Sequence, residues 1–112
     1  MTIDIMHDTY LLVITTCPDK QNADNIAQAL VNAKLAACVQ TSAPVTSVYL
    51  WKGDLCQEQE FSLQIKCHAQ DYNELAKLIL SMHPYDVPEL IALEIANGSP
   101  AYLDWIKETT QL

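Results

Sequence analysis

Two prolines four residues apart, Pro84 and Pro88, divide this 112-residue chain more firmly than any other feature. Each lacks a backbone donor, and each pushes the residue before it, His83 and Val87, away from helical backbone. The helix-patterned residues ahead of His83 must therefore stop there, and the apolar run from Leu90 must begin a new element. Between them, His83-Pro84-Tyr85-Asp86-Val87-Pro88-Glu89 is a stiff connection that carries a histidine, a tyrosine and two carboxylates. Those groups on a rigid segment mark a site rather than a linker.

The other elements follow from periodicity. Met1–Thr9 reads as a flexible polar leader, and residues 10–112 as one domain. Tyr10–Thr16 is apolar and β-branched without interruption, the pattern of a central strand covered on both faces. Cys17-Pro18-Asp19 ends it, and Asp19 is placed to cap a helix that repeats Ala23, Ile26, Ala27, Leu30 and Val31 at helical spacing. Ala36–Thr41 and Val45–Trp51 read as strands, with Lys52-Gly53-Asp54 as a hairpin turn. The expected hairpin partner is Glu60–Cys67, where Phe61, Leu63, Ile65 and Cys67 alternate with Ser62, Gln64 and Lys66. Asp71, with Glu74 three residues on, predicts a capped second helix. After the proline segment come a strand over Leu90–Ile95 and a last helix opened by Ser99-Pro100. The order β-α-β-β-α-β-α predicts an α+β fold: a ferredoxin-like split βαβ sandwich, its antiparallel sheet carrying helices on one face, plus a C-terminal helix.

Charge and cysteine usage narrow the function. Fourteen acidic residues against six basic ones give a formal charge of −8, which argues against a nucleic-acid partner. The longest early apolar run, Leu11-Leu12-Val13-Ile14, is too short to span a bilayer. The N-terminal residues lack the basic and apolar regions of a secretory signal, and two glycines do not make a phosphate-cradling loop. Cys17, Cys38, Cys56 and Cys67 are widely spaced with no Cys-x-x-Cys pair, so the expectation is four reduced thiols in the cytoplasm.

On a sheet with helices on one face, Val45, Ser47, Tyr49 and Trp51 alternate together and are expected on the bare face. Aromatics in that position predict self-association. Four ordered motifs, Thr15-Thr16-Cys17-Pro18-Asp19, Leu35-Ala36-Ala37-Cys38-Val39, Val48-Tyr49-Leu50-Trp51-Lys52-Gly53 and the His83–Glu89 segment, resemble those of the CutA family of divalent-cation tolerance proteins. The resemblance runs from about Tyr10 to Trp105 and implies a homotrimer that responds to divalent metal ions, copper foremost. It also implies weak copper binding by Cys17 and His83, with Met82, where some relatives have a second histidine, offering a thioether suited to Cu(I). No catalytic set is expected, since no third residue is evident to orient a Cys17–His83 pair. The trimeric architecture also resembles that of the PII signalling proteins. On that alternative a small-molecule effector sits in an intersubunit cleft furnished by Tyr49, Trp51, Glu60, Lys66, Tyr85, Pro88 and Glu89. Lys66 is either a ligand contact there or a salt bridge to Glu60 or Glu89.

Overall fold

The computed structural model describes residues 8–110. Of the expected leader, residues 1–7 lie outside the described residues. Next to them, the Thr9 carbonyl accepts a hydrogen bond from the Ala69 N–H at 2.8 Å. The Asp8 carboxylate accepts from His68 Nε2 at 2.7 Å and from Lys107 Nζ at 3.0 Å.

Strand β1 (Tyr10–Cys17) is central, as its unbroken apolar run predicts. It pairs antiparallel with β4 (Asp54–His68) from Tyr10↔His68 to Cys17↔Phe61, and on its other edge with β5 (Leu90–Glu94). The far edge of β4 is shared. Strand β2 (Cys38–Thr41) pairs with its C-terminal half, and β3 (Val45–Trp51) with its N-terminal half. The order β2-β4-β1-β5 is that of the predicted ferredoxin-like sheet.

Helices α1 (Lys20–Asn32) and α2 (Tyr72–Met82) cover one face. Their Ile26, Leu30, Leu75 and Ile79 meet Val13, Cys17, Leu63, Ile65 and Cys67 of the sheet, all fully buried. Asp19 caps α1 as expected, accepting from the Asn22 N–H at 2.7 Å. Helix α3 (Pro100–Thr110) crosses to the other face and packs Ile106 against Tyr10 at one end. Its start is held by Ser99, whose hydroxyl accepts from the Tyr102 N–H.

Two local expectations need correction. The hairpin turn is Lys52-Gly53 alone, both at positive φ (52° and 86°), and its partner strand begins at Asp54, not Glu60. Two consecutive positive-φ residues make the tight two-residue connection whose twist suits a hairpin. The outcome is a ribbon of β3 and Asp54–Glu60 extending beyond the main sheet, which gives the molecule a long axis of 52 Å against 26 and 24 Å. Asp71, in turn, makes no side-chain cap on α2. A 3-10 turn, Ala69–Asp71, leads into that helix instead, and His68 caps the turn through Nδ1, which accepts from the Gln70 N–H at 3.1 Å.

Candidate functional site

Alternation along β4 decides what faces what. Leu63, Ile65 and Cys67 face the helices, so Glu60, Ser62, Gln64 and Lys66 face the bare side. Register then places Val45, Ser47, Tyr49 and Trp51 on that same side, opposite Glu60, Glu58, Cys56 and Asp54. The proline segment folds over this row and closes a cleft of about 620 Å³ between itself, β3 and the Glu60 end of β4. Tyr49, Trp51 and Tyr85 form aromatic walls, Glu60, Asp86 and Glu89 contribute carboxylates, and Thr16 lies at its β1 side.

Hydrogen bonds tie the walls together. Tyr85 Oη donates to Glu60 Oε2 at 2.8 Å, and Tyr49 Oη donates to Glu58. Burial, then the bond to Glu60, raises the Tyr85 phenol above its ordinary value. The bond to Glu58 leads in pushing Tyr49 up to about 12. Both phenols therefore remain donors across the physiological range. Glu60 is only 6% exposed, yet among the described residues no ion pair reaches it.

Five of the residues expected in a cleft between subunits, Tyr49, Trp51, Glu60, Tyr85 and Glu89, line this cleft within one chain. Pro88 does not line it. Lys66 lies six residues along β4 from Glu60, roughly 20 Å at strand rise, and donates to Gln40 Oε1 at 2.8 Å. Within the chain it bridges neither Glu60 nor Glu89. Thr16 and Ser47 also line the cleft without having been anticipated there, and so does Asp86, which the sequence had marked only as a carboxylate of the proline segment.

The candidate metal residues sit just beneath. His83 ends α2 and its ring is buried against the end of β1. Its Nε2 donates to the Thr16 carbonyl at 2.7 Å, and Nδ1 accepts from the Tyr85 N–H at 3.2 Å. Both ring nitrogens are thus engaged, and these two partners select the neutral tautomer with its proton on Nε2. Cys17 is fully buried. Burial, followed by the negative charge of Asp19 and Glu60, pushes its thiol up to about 11, which keeps it a protonated core side chain and a poor nucleophile at neutral pH. Met82 packs on the hydrophobic core, and its carbonyl accepts from Asn22 Nδ2 at 3.2 Å. Among the described residues no three His, Cys, Asp or Glu side chains are grouped to hold one metal ion.

Known proteins share this arrangement. The profile of the CutA1 divalent ion tolerance protein family matches residues 11–109. The divalent-cation tolerance protein CutA of Thermus thermophilus is 41% identical over 99 residues, 88% of this chain and 96% of that protein. The crystal structure of CutA1 from the psychrotrophic bacterium Shewanella sp. SIB1 is 51% identical and superposes with a TM-score of 0.87, covering 89% of this chain and 94% of that one. The periplasmic divalent cation tolerance protein CutA from Archaeoglobus fulgidus superposes at 0.88 with 32% identity, over 91% of this chain and 99% of that one.

Proposed function

This chain belongs to the CutA1 divalent ion tolerance family, and on that premise we propose that it acts in tolerance of divalent cations as a cytoplasmic homotrimer that takes up copper weakly. The observation that carries the assembly is apolar surface left bare where a monomer would need cover. Val48, Leu50 and Leu55 on one side of the β3–β4 ribbon are 60–74% exposed, while Tyr49 and Trp51 are exposed on the other. An isolated two-stranded ribbon is marginally stable in water, so one with apolar residues on both sides requires a partner surface. Ile91 and Leu93, paired with Ile14 and Leu12 on the bare sheet face, extend the same demand. Four cysteines, all unpaired, suit a reducing compartment.

The state of Cys17 and His83 supports reading any copper uptake as weak. A metal entering there must take His83 from Thr16 and Tyr85, and must displace a thiol proton held at about 11. At neutral pH that proton alone lowers apparent affinity by about four powers of ten. Met82 would join only by leaving the core. The test is a Cu(I) and Cu(II) titration of the reduced, metal-free protein against a competing chelator, repeated with His83→Ala and Cys17→Ser. Weak uptake reduced by both substitutions supports the site. Tight stoichiometric binding, or uptake that neither substitution changes, removes it.

The cleft favours a second reading, a trimeric sensor of the PII type that responds to a small effector. Its volume lies in the range of small-molecule sites, and its polar groups converge from β3, β4 and the proline segment.

A further inference from the structure

We propose that Lys66 of one copy neutralises Glu60 of the next, across an interface that joins the bare sheet face to the β3–β4 ribbon. The proposal rests on the homotrimer reading and names the charge pair that fixes how the copies meet. Glu60 sets the demand. It is buried, Tyr85 holds one of its oxygens, and among the described residues no cation reaches it. A carboxylate taken out of water needs a counter-charge beside it. Asp86 and Glu89, on the same cleft, are exposed and keep their hydration, so the demand is specific to Glu60.

Elimination supplies the partner. The chain has six basic residues, all of them lysines. Lys20, Lys77 and Lys107 are paired with Asp24, Glu74 and Asp8. Lys34 follows α1, which packs on the opposite face of the sheet. Lys52 belongs to the hairpin turn, where its Nζ stands 5.7 Å from the Trp51 ring centroid. Lys66 alone lies on the bare face of the main sheet, half-buried, and its ammonium donates to a neutral acceptor, Gln40. Two of its three donors are left for another group. Symmetry brings the two charges together although roughly 20 Å separates them along one strand. A threefold ring repeats one heterologous contact, in which two different patches of the surface meet. The bare side carries two such patches: the acidic ribbon end with Glu58 and Glu60, and the sheet centre with Lys66. Setting the Lys66 patch of each copy against the Glu60 patch of its neighbour satisfies three identical pairs and covers the exposed ribbon in the same contact.

The test is a double-mutant cycle on assembly of the full chain. It reads the protein concentration at which half the trimer dissociates, by sedimentation in a fixed urea concentration that partly dissociates the parent. Lys66→Met should raise that concentration at least about tenfold, because it strands a buried carboxylate. In a Glu60→Gln chain, which keeps an acceptor for Tyr85, the same substitution should shift it by less than about threefold. Lys66→Arg keeps the charge and should stay close to the parent. Lys52→Met is the control and should act equally in both backgrounds. The two residues are too far apart to meet within a chain, so coupling between them reports a contact between copies. Equal shifts from Lys66→Met with and without Glu60 overturn the pairing, and so does coupling of Glu60 to Lys52 instead. A parent that sediments as a monomer overturns the pairing and the trimer together, whereas a trimeric parent without coupling ends the pairing alone.

Discussion

Replacing His83 by alanine is expected to destabilise the fold by about 3 kcal/mol per chain, because the imidazole is the clasp between the proline segment and β1. The ring is buried and makes two hydrogen bonds. Its loss leaves the Thr16 carbonyl without its imidazole donor in a buried position, at about 1–3 kcal/mol. The Tyr85 N–H, only partly buried, loses its acceptor at about 0.5–1.5 kcal/mol. The tilted contact between the His83 and Tyr85 rings, 4.8 Å between centroids, disappears as well. The assay is urea unfolding at fixed protein concentration, since the midpoint of an oligomer depends on concentration. With a denaturant slope of about 1.5 kcal/mol/M, the midpoint should fall by about 2 M. His83→Phe keeps an aromatic ring, a somewhat larger one, but removes both hydrogen bonds, and should lose most of the same stability. A His83→Phe protein as stable as the parent would refute the clasp and make the ring mere filling.

Three further outcomes are expected. Thr15 is fully buried on the core face and its hydroxyl has no partner among the described residues, so Thr15→Val, which keeps its shape, should raise stability by about 1 kcal/mol in the same unfolding assay. The hydrogen bond from His68, then the one from Lys107, holds the Asp8 carboxyl below its usual range, so its stabilising contribution is complete above that range and is lost as pH falls through the depressed value. Asp8→Asn should therefore lower stability at pH 7 by less than about 1 kcal/mol, as fits a partly exposed pair, and the two proteins should converge once the pH falls below the depressed Asp8 value. Gly53 sits at φ +86° with open space around it, so Gly53→Ala should cost about 1–2 kcal/mol through backbone strain alone, seen as a lower midpoint with an unchanged slope.

Much of this fold was legible because burial leaves a periodic trace. The alternation Phe61, Leu63, Ile65, Cys67 placed β4 against the helices, and the unbroken run in β1 placed it at the centre. Where burial stops, so does the trace. Residues Asp54–Gln59 form the first half of β4, but they pair only with β3 and are largely exposed, so no apolar rhythm announces them. Asp71 looked like a cap, yet the chain enters α2 through a 3-10 turn that leaves its carboxylate partly buried, with no hydrogen-bond partner for Oδ2 among the described residues; burial raises its pKa above the ordinary carboxylate value. The site was legible in kind more than in detail. Strand parity carried Tyr49, Trp51 and Glu60 to one face, and the rigid proline segment brought Tyr85 and Glu89 to meet them. Parity put Lys66 on that face too, but not its distance along the strand. The position of His83 beside β1 could be read from its place at a helix end. That both of its nitrogens are engaged depends on a backbone carbonyl and a backbone N–H, which no residue pattern records.

Sedimentation equilibrium of the reduced protein at micromolar concentration addresses most directly the claim that the exposed ribbon and the bare sheet face are subunit interfaces. A single species of three times the 12.5 kDa chain mass is the predicted result. A single species of 12.5 kDa would contradict it, leaving Leu50, Leu55 and Trp51 in water without a partner.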